Sequence, residues 1–171
     1  MTDSTRFDRR TVVRTIGGTA LAVSLAGCAG DEEPDEEPTE EAEATESLQP
    51  PAAVDDFLTE NDATGYDGEM VDATGQDSLT VEVGAGDIGF AFAPVAVAID
   101  PGTTVTFEWT GEAGEHNVVA AEESDIDVDV EEDLIAEAGH TAEATFDESG
   151  NYLYECTPHV GNGKVGAIVI E

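Results

Sequence analysis

Residues 156–166 read CTPHVGNGKVG, with a thiol at Cys156 and an imidazole at His159, three positions apart in a glycine-rich stretch. Of the two other histidines in the 171-residue chain, His116 opens the run His116-Asn117-Val118-Val119. Thiolate is a soft ligand that suits Cu(I), and imidazole serves both copper oxidation states. Two imidazoles and one thiolate therefore make a trigonal set suited to copper, which a weak axial donor completes. Because neither oxidation state is strongly preferred, the chemistry open to such a set is one-electron transfer. A small buried apolar role for Cys156 is the plainer reading, but it leaves both histidines unaccounted for.

These three side chains can converge only if particular elements carry them. A ligand at the start of one strand and two from the loop after an antiparallel neighbour meet at one end of a β-sandwich. From Ser78 onward, short apolar or alternating runs are divided by Gly, Pro, Asp and Asn, the punctuation of an all-β protein. Strands are expected near 79–83, 88–92, 95–99, 104–109, 117–121, 141–146, 152–155 and 165–170. In Thr104–Trp109 the apolar residues fall at every second position, as in a half-buried strand. Asp100-Pro101-Gly102 and Glu148-Ser149-Gly150-Asn151 supply turns. The fold class predicted is all-β, a Greek-key two-sheet sandwich.

Ahead of the strands, PPAAVDDFLTEND predicts a short helix with Val54, Phe57 and Leu58 on one side and prolines suited to its start. Residues 122–134 include Asp125, Asp127 and Asp129 alternating with Ile126, Val128 and Val130. That pattern reads as an acidic edge strand; the glycine that a calcium loop needs is missing.

The N-terminus has the order of an export signal. Arg9 and Arg10 are adjacent, an apolar stretch runs from Thr15 to Ala26, and Leu25-Ala26-Gly27-Cys28 resembles a lipobox. Residues 1–27 are expected to be a Tat-type lipoprotein signal, with Cys28 lipidated and the protein held on the outer face of the cell membrane. Residues 28–50, rich in Asp, Glu, Pro, Thr and Ala, are expected to be a disordered acidic linker, and 51–171 the folded domain. With Cys28 committed to lipid, Cys156 has no disulfide partner, and metal ligation gives a lone exported thiol a reason to exist.

All four arginines lie in the leader. Of 40 acidic residues only Asp3 and Asp8 do, so the remaining chain sets one cation, Lys164, against 38 carboxylates. Such self-repulsion is tolerable in molar salt, where the Debye length falls to ~3 Å. Nucleic acid is excluded as a partner by charge.

With these motifs in place, the sequence resembles the cupredoxins and, within them, the halocyanins, small plastocyanin-like blue copper proteins of salt-loving archaea. The resemblance is carried by residues 101–120, PGTTVTFEWTGEAGEHNVVA, and 151–171, NYLYECTPHVGNGKVGAIVIE, with 72–84 as weaker support. It implies that His116, Cys156 and His159 are the equatorial ligands of one copper per chain. It also implies that Asn117 holds the cysteine loop against the first ligand strand. His159 would be the electron port, rimmed by Pro94, Gly114, Val160 and Gly161. A monomeric carrier is expected, exchanging electrons with membrane redox complexes. Glu155, where plastocyanins carry a tyrosine, removes a second entry route. Multicopper oxidases and nitrite reductases need further histidines for a second copper centre, and His140 is the only one left, so an enzyme is not expected.

One position departs from the family. Its axial methionine, five residues after the second histidine, is here Lys164. Met1 leaves with the leader, and Met70 is expected before the strands begin. A protonated Lys164 pointing to solvent would favour reduced copper, by about a tenth of a volt for a charge ~6 Å away at an effective dielectric near 20. A deprotonated amine would instead be a harder donor favouring Cu(II). Alternatively, Lys164 pairs with Glu112 or Glu115 and the domain is a copper-storage, copper-delivery or structural module without redox cycling.

Overall fold

The computed structural model describes residues 47–171 apart from residue 129. The expected leader, Cys28, nearly all of the acidic linker and Asp129 of the acidic alternation lie outside the described residues. In chain order the elements are β1 (Ser47–Leu48), α1 (Ala52–Glu60), β2 (Met70–Asp72), β3 (Ser78–Ala85), β4 (Ala91–Ala93), β5 (Ala96–Ile99) and β6 (Thr103–Trp109). They continue with β7 (His116–Ala120), β8 (Glu131–Ile135), β9 (Thr141–Phe146), β10 (Gly150–Glu155) and β11 (Val165–Ile170).

Two sheets form the sandwich that the alternation predicts. The larger runs β1-β2-β5-β11-β10-β7-β8 and the smaller β4-β3-β6-β9. In β6, Val105, Phe107 and Trp109 face inward while Thr104, Thr106 and Glu108 face out. Between the sheets they meet Val81, Val83, Phe92, Val118, Tyr152, Tyr154, Cys156 and Ile168.

The run Val165–Ile170 does not alternate, and every one of its residues is buried. Its sheet is covered on both faces, which calls for a continuous apolar strand. Ile168 and Ile170 enter the core between the sheets, while Val165, Ala167 and Val169 pack with Val54, Phe57 and Leu58 of α1. The helix lies where its apolar side predicts. Pro51 precedes it and accepts the first backbone bonds, from Val54 at 2.9 Å and Asp55 at 3.0 Å.

Three expectations are corrected. The strand near 88–92 begins only at Ala91, because Gly86 and Gly89 take left-handed backbone (φ 78° and 70°) and turn the chain. The edge strand of the acidic segment is Glu131–Ile135; upstream, Ile126 and Val128 are half-buried and Asp125 and Asp127 exposed, but among the described residues there no ladder forms. Asp125 instead accepts hydrogen bonds from the Asn151 backbone N–H at 3.1 Å and side chain at 2.9 Å. Met70 lies in β2, and Ser47–Leu48, within the expected linker, pairs with it as a short strand.

Opposite Tyr154 on β10 stands Gly166 on β11. The phenol ring lies across it, so a Cβ at 166 would collide with the ring end, while the Tyr154 hydroxyl is buried without a hydrogen-bond partner. Burial pushes that phenol well above the usual tyrosine range. Gly166→Ala is therefore expected to destabilise by roughly 1–3 kcal/mol through overpacking. Tyr154→Phe removes an unpaired buried hydroxyl and should leave stability unchanged or raise it. Denaturant midpoints of the two variants check both signs.

Candidate metal centre

His116 opens β7, Cys156 directly follows β10, and His159 precedes a 3₁₀ turn at Val160–Asn162 in the β10–β11 loop. The loop closes on itself where the Cys156 N–H donates to the Lys164 carbonyl at 3.0 Å. Pairing of β10 with β7, Glu155 opposite Val119, brings that loop beside His116. His116 Nδ1 lies 3.1 Å from His159 Nδ1, and Cys156 Sγ lies 3.6 Å and 3.5 Å from the two nitrogens. Among the described residues, these three form the one group of His, Cys, Asp or Glu whose ligand atoms could share a metal ion.

Each ring is aimed by its surroundings. His116 is fully buried; its Nε2–H donates to the Glu112 carbonyl at 2.8 Å, which leaves the Nδ1 lone pair facing the cluster. The Trp109 indole N–H donates to the His116 carbonyl at 3.1 Å and fixes the backbone beneath it. His159 is half-buried and stacks on Phe90 with ring centroids 4.6 Å apart. Asn117 accepts from the Thr157 N–H at 2.9 Å and donates to Thr157 Oγ1 at 3.1 Å, tying β7 to the cysteine loop as the resemblance implied.

Burial is the main electrostatic influence. It holds both imidazoles below the ordinary histidine range, so they are neutral near pH 7, and the Lys164 charge pushes the same way. Burial raises the Cys156 thiol above its usual range, against the backbone N–H groups of Asn117 and His159 and the charge of Lys164. Two neutral imidazole nitrogens and one sulfur thus face a common point, a donor set that fits copper. Metal entry must displace the thiol proton.

Lys164 is not where either surface expectation placed it. The side chain is fully buried. Its ammonium donates to the Gly89 carbonyl at 3.2 Å and lies 5.3 Å from the Phe92 ring centroid. It neither points to solvent nor pairs with Glu112 or Glu115, because the loop closure that seats Cys156 draws residue 164 inside. Burial lowers its pKa to about 8. Met70 belongs to the helix-side cluster and not to the core that holds Cys156. His140 stands apart, 3.3 Å from Glu131 and edge-on to Trp109.

Phe90 was missed by sequence reasoning. In Gly89-Phe90-Ala91-Phe92 both aromatics look like strand residues, and only the turn at Gly89 sends Phe90 to the ligand ring and Phe92 to the core.

Known proteins resemble this chain in sequence. Over 165 residues the chain is 48% identical to a halocyanin from Natronomonas pharaonis, covering 96% of this chain and 98% of that one. It is 38% identical over 100 residues to plastocyanin from Solanum crispum, covering 54% of this chain and 99% of that one. Oxidised plastocyanin from Dryopteris crassirhizoma superposes with a TM-score of 0.46 at 25% identity, over 54% of this chain and all of that one. Residues 79–171 match the family described as copper binding proteins, plastocyanin/azurin family. With its thiol and two imidazoles gathered at one end of the sandwich, the chain belongs to that family of copper binding proteins.

Proposed function

We propose that this protein is a one-electron carrier in which His116, Cys156 and His159 hold a single copper and His159 is the port through which electrons pass. The observation that carries the reading is the convergence of two Nδ1 atoms and one Sγ within 4.8 Å of one another in the folded chain. Bound copper supplies a one-electron couple; the chain's own residues hold its ligands still. A scaffold that fixes ligand positions in both oxidation states limits reorganisation on transfer, and the Glu112, Trp109 and Asn117 contacts serve that end.

The half-buried His159 edge defines the docking face. Phe90 covers one side of the ring, and Ile88 on the same loop is 66% exposed. In concentrated salt, steering by charge is screened within a few ångströms. Contact with a partner then depends on apolar surface such as Ile88. The partners of this reading are membrane redox complexes. Lipid on Cys28 and an acidic tether would hold the domain near them on the outer face of the membrane, after Tat export.

Reversible voltammetry of the copper-loaded chain in molar salt tests the carrier reading. A one-electron wave that His116→Ala abolishes is expected; bound copper without a reversible wave would identify a storage or delivery module instead. For the anchor, Cys28→Ser should move the protein from the membrane fraction to the soluble one, and unchanged membrane association would refute lipidation at that residue.

A further inference from the structure

Asp62 and Thr64 touch the ligand loop, yet they lie outside the family match at 79–171. Their path starts with how α1 ends. The Ala63 N–H donates to the Leu58 carbonyl at 2.9 Å and the Asp62 N–H to the Thr59 carbonyl at 3.1 Å, the paired bonds of a Schellman ending. The left-handed residue this ending requires is Asp62, at φ 50°, where glycine is the usual choice. A strained non-glycine residue persists where its surroundings over-determine it. The surroundings of Asp62 are the Schellman bonds of the helix end and, against its carbonyl, Gly163 of the ligand loop.

The Asp62 carbonyl oxygen occupies the space that a Cβ on Gly163 would need, and Gly163 is itself left-handed at φ 77°. Thr64 then donates twice, from its N–H to the Gly163 carbonyl at 2.9 Å and from Oγ1 to the Asn162 carbonyl at 3.0 Å. Asn162 and Gly163 are the two residues before Lys164, whose N–H returns to the His159 carbonyl at 3.2 Å. Between them the loop has only the single 3₁₀ turn Val160–Asn162, with no buried residue to anchor it and the weaker hydrogen-bond geometry of that helix type.

We propose that Asn61–Thr64 is a strap that fixes the backbone of the ligand loop, which makes Thr64 a positioning residue for His159 and Lys164. The helix under the large sheet is the rigid base of the strap, since Val54 and Leu58 are fully buried. Ligand geometry has to hold within about 0.5 Å to be productive, and an exposed turn cannot supply that alone. The consequence for copper rests on the carrier reading above; the consequence for the loop does not.

The test uses the full chain with Thr64→Val, which keeps the shape and removes the Oγ1 donor, and with Thr64→Ser, which restores it. Phe146→Leu, in the smaller sheet, reports what a loss of stability alone does. In the metal-free proteins, amide hydrogen exchange is measured at Asn162, Gly163 and Lys164. In the copper-loaded proteins, the rate of copper loss to a chelator and the thiolate-to-copper absorption are measured. Thr64→Val should speed both exchange and copper loss by about 2- to 12-fold, the equivalent of one hydrogen bond. Thr64→Ser should recover most of this, and Phe146→Leu should not reproduce the copper effect. Exchange and copper loss at wild-type rates in Thr64→Val would overturn the strap. A wild-type chain with no thiolate-to-copper band would defeat the carrier reading, and metal-free exchange would still decide the strap.

Discussion

Lys164→Met is expected to stabilise the metal-free protein by on the order of 3 kcal/mol at neutral pH and to abolish a pH dependence that the wild type shows. The lysine is fully buried, and burial lowers its pKa from the ordinary 10.5 to about 8. In the unfolded chain it keeps its proton up to about 10.5. Between those values the unfolded state binds more protons than the folded state, so stability rises with pH across that window. Below about 8 the whole burden of a buried ammonium is present. Methionine fills similar space without charge, so the rise in denaturant midpoint above about pH 8 should be lost in the variant, leaving the fall that the raised Cys156 thiol and Tyr154 phenol impose as pH climbs through their ordinary ranges. A variant as pH-dependent as the wild type would show that another group is responsible.

The same substitution carries a redox consequence. Removing a buried positive charge favours Cu(II), so the potential of Lys164→Met should fall by on the order of a tenth of a volt. A rise instead would mean that the wild-type amine is deprotonated in the loaded protein and acts as a donor. The Gly89 carbonyl, which accepts from Nζ at 3.2 Å, is the contact the ammonium keeps when it does not.

Cys156→Ser should have the second large effect. The sulfur sits 3.5–3.6 Å from both ligand nitrogens and is fully buried. Serine preserves the shape but supplies a hydroxyl that does not ionise near neutral pH, so two neutral imidazoles remain. Copper affinity should drop by more than the roughly 10- to 100-fold that loss of an outer contact produces. The intense visible absorption, which requires a thiolate, should disappear, while the fold persists because the hydroxyl can bond to the same Nδ1 atoms. Competition against a chelator of known affinity measures the first effect and absorption the second. A Ser variant with wild-type affinity would exclude Cys156 from the site.

What the sequence made legible follows a physical division. Alternation in Thr104–Trp109, the unbroken run Val165–Ile170 and the apolar side of residues 54–58 each encode burial locally, so the sandwich and its covering helix could be read directly. The ligand trio was legible because Cys, His and His are chemically rare in so acidic a chain. Features that depend on closure were not. Lys164 reads as a loop cation, and only the bond from Cys156 N–H to its carbonyl shows why it lies inside. Phe90 and Phe92 look equivalent until Gly89 turns the chain between them and the preceding strand. In the acidic segment residues 125–128 keep their alternation in burial while the ladder forms downstream at Glu131–Ile135, because a side-chain pattern does not specify which backbone is free to pair. The strap was invisible for the same reason: its contacts join residues about a hundred positions apart, Thr64 to Asn162 and Gly163.

The most direct measurement is the visible absorption and EPR spectrum of the Cu(II)-loaded full chain in molar salt. An intense thiolate-to-copper band with narrow copper hyperfine splitting, lost in Cys156→Ser and kept in Lys164→Met, is the predicted result. A folded, copper-bound chain without that band would contradict an electron-transfer site built from His116, Cys156 and His159, and would show that a buried lysine at position 164 has ended redox use of the copper.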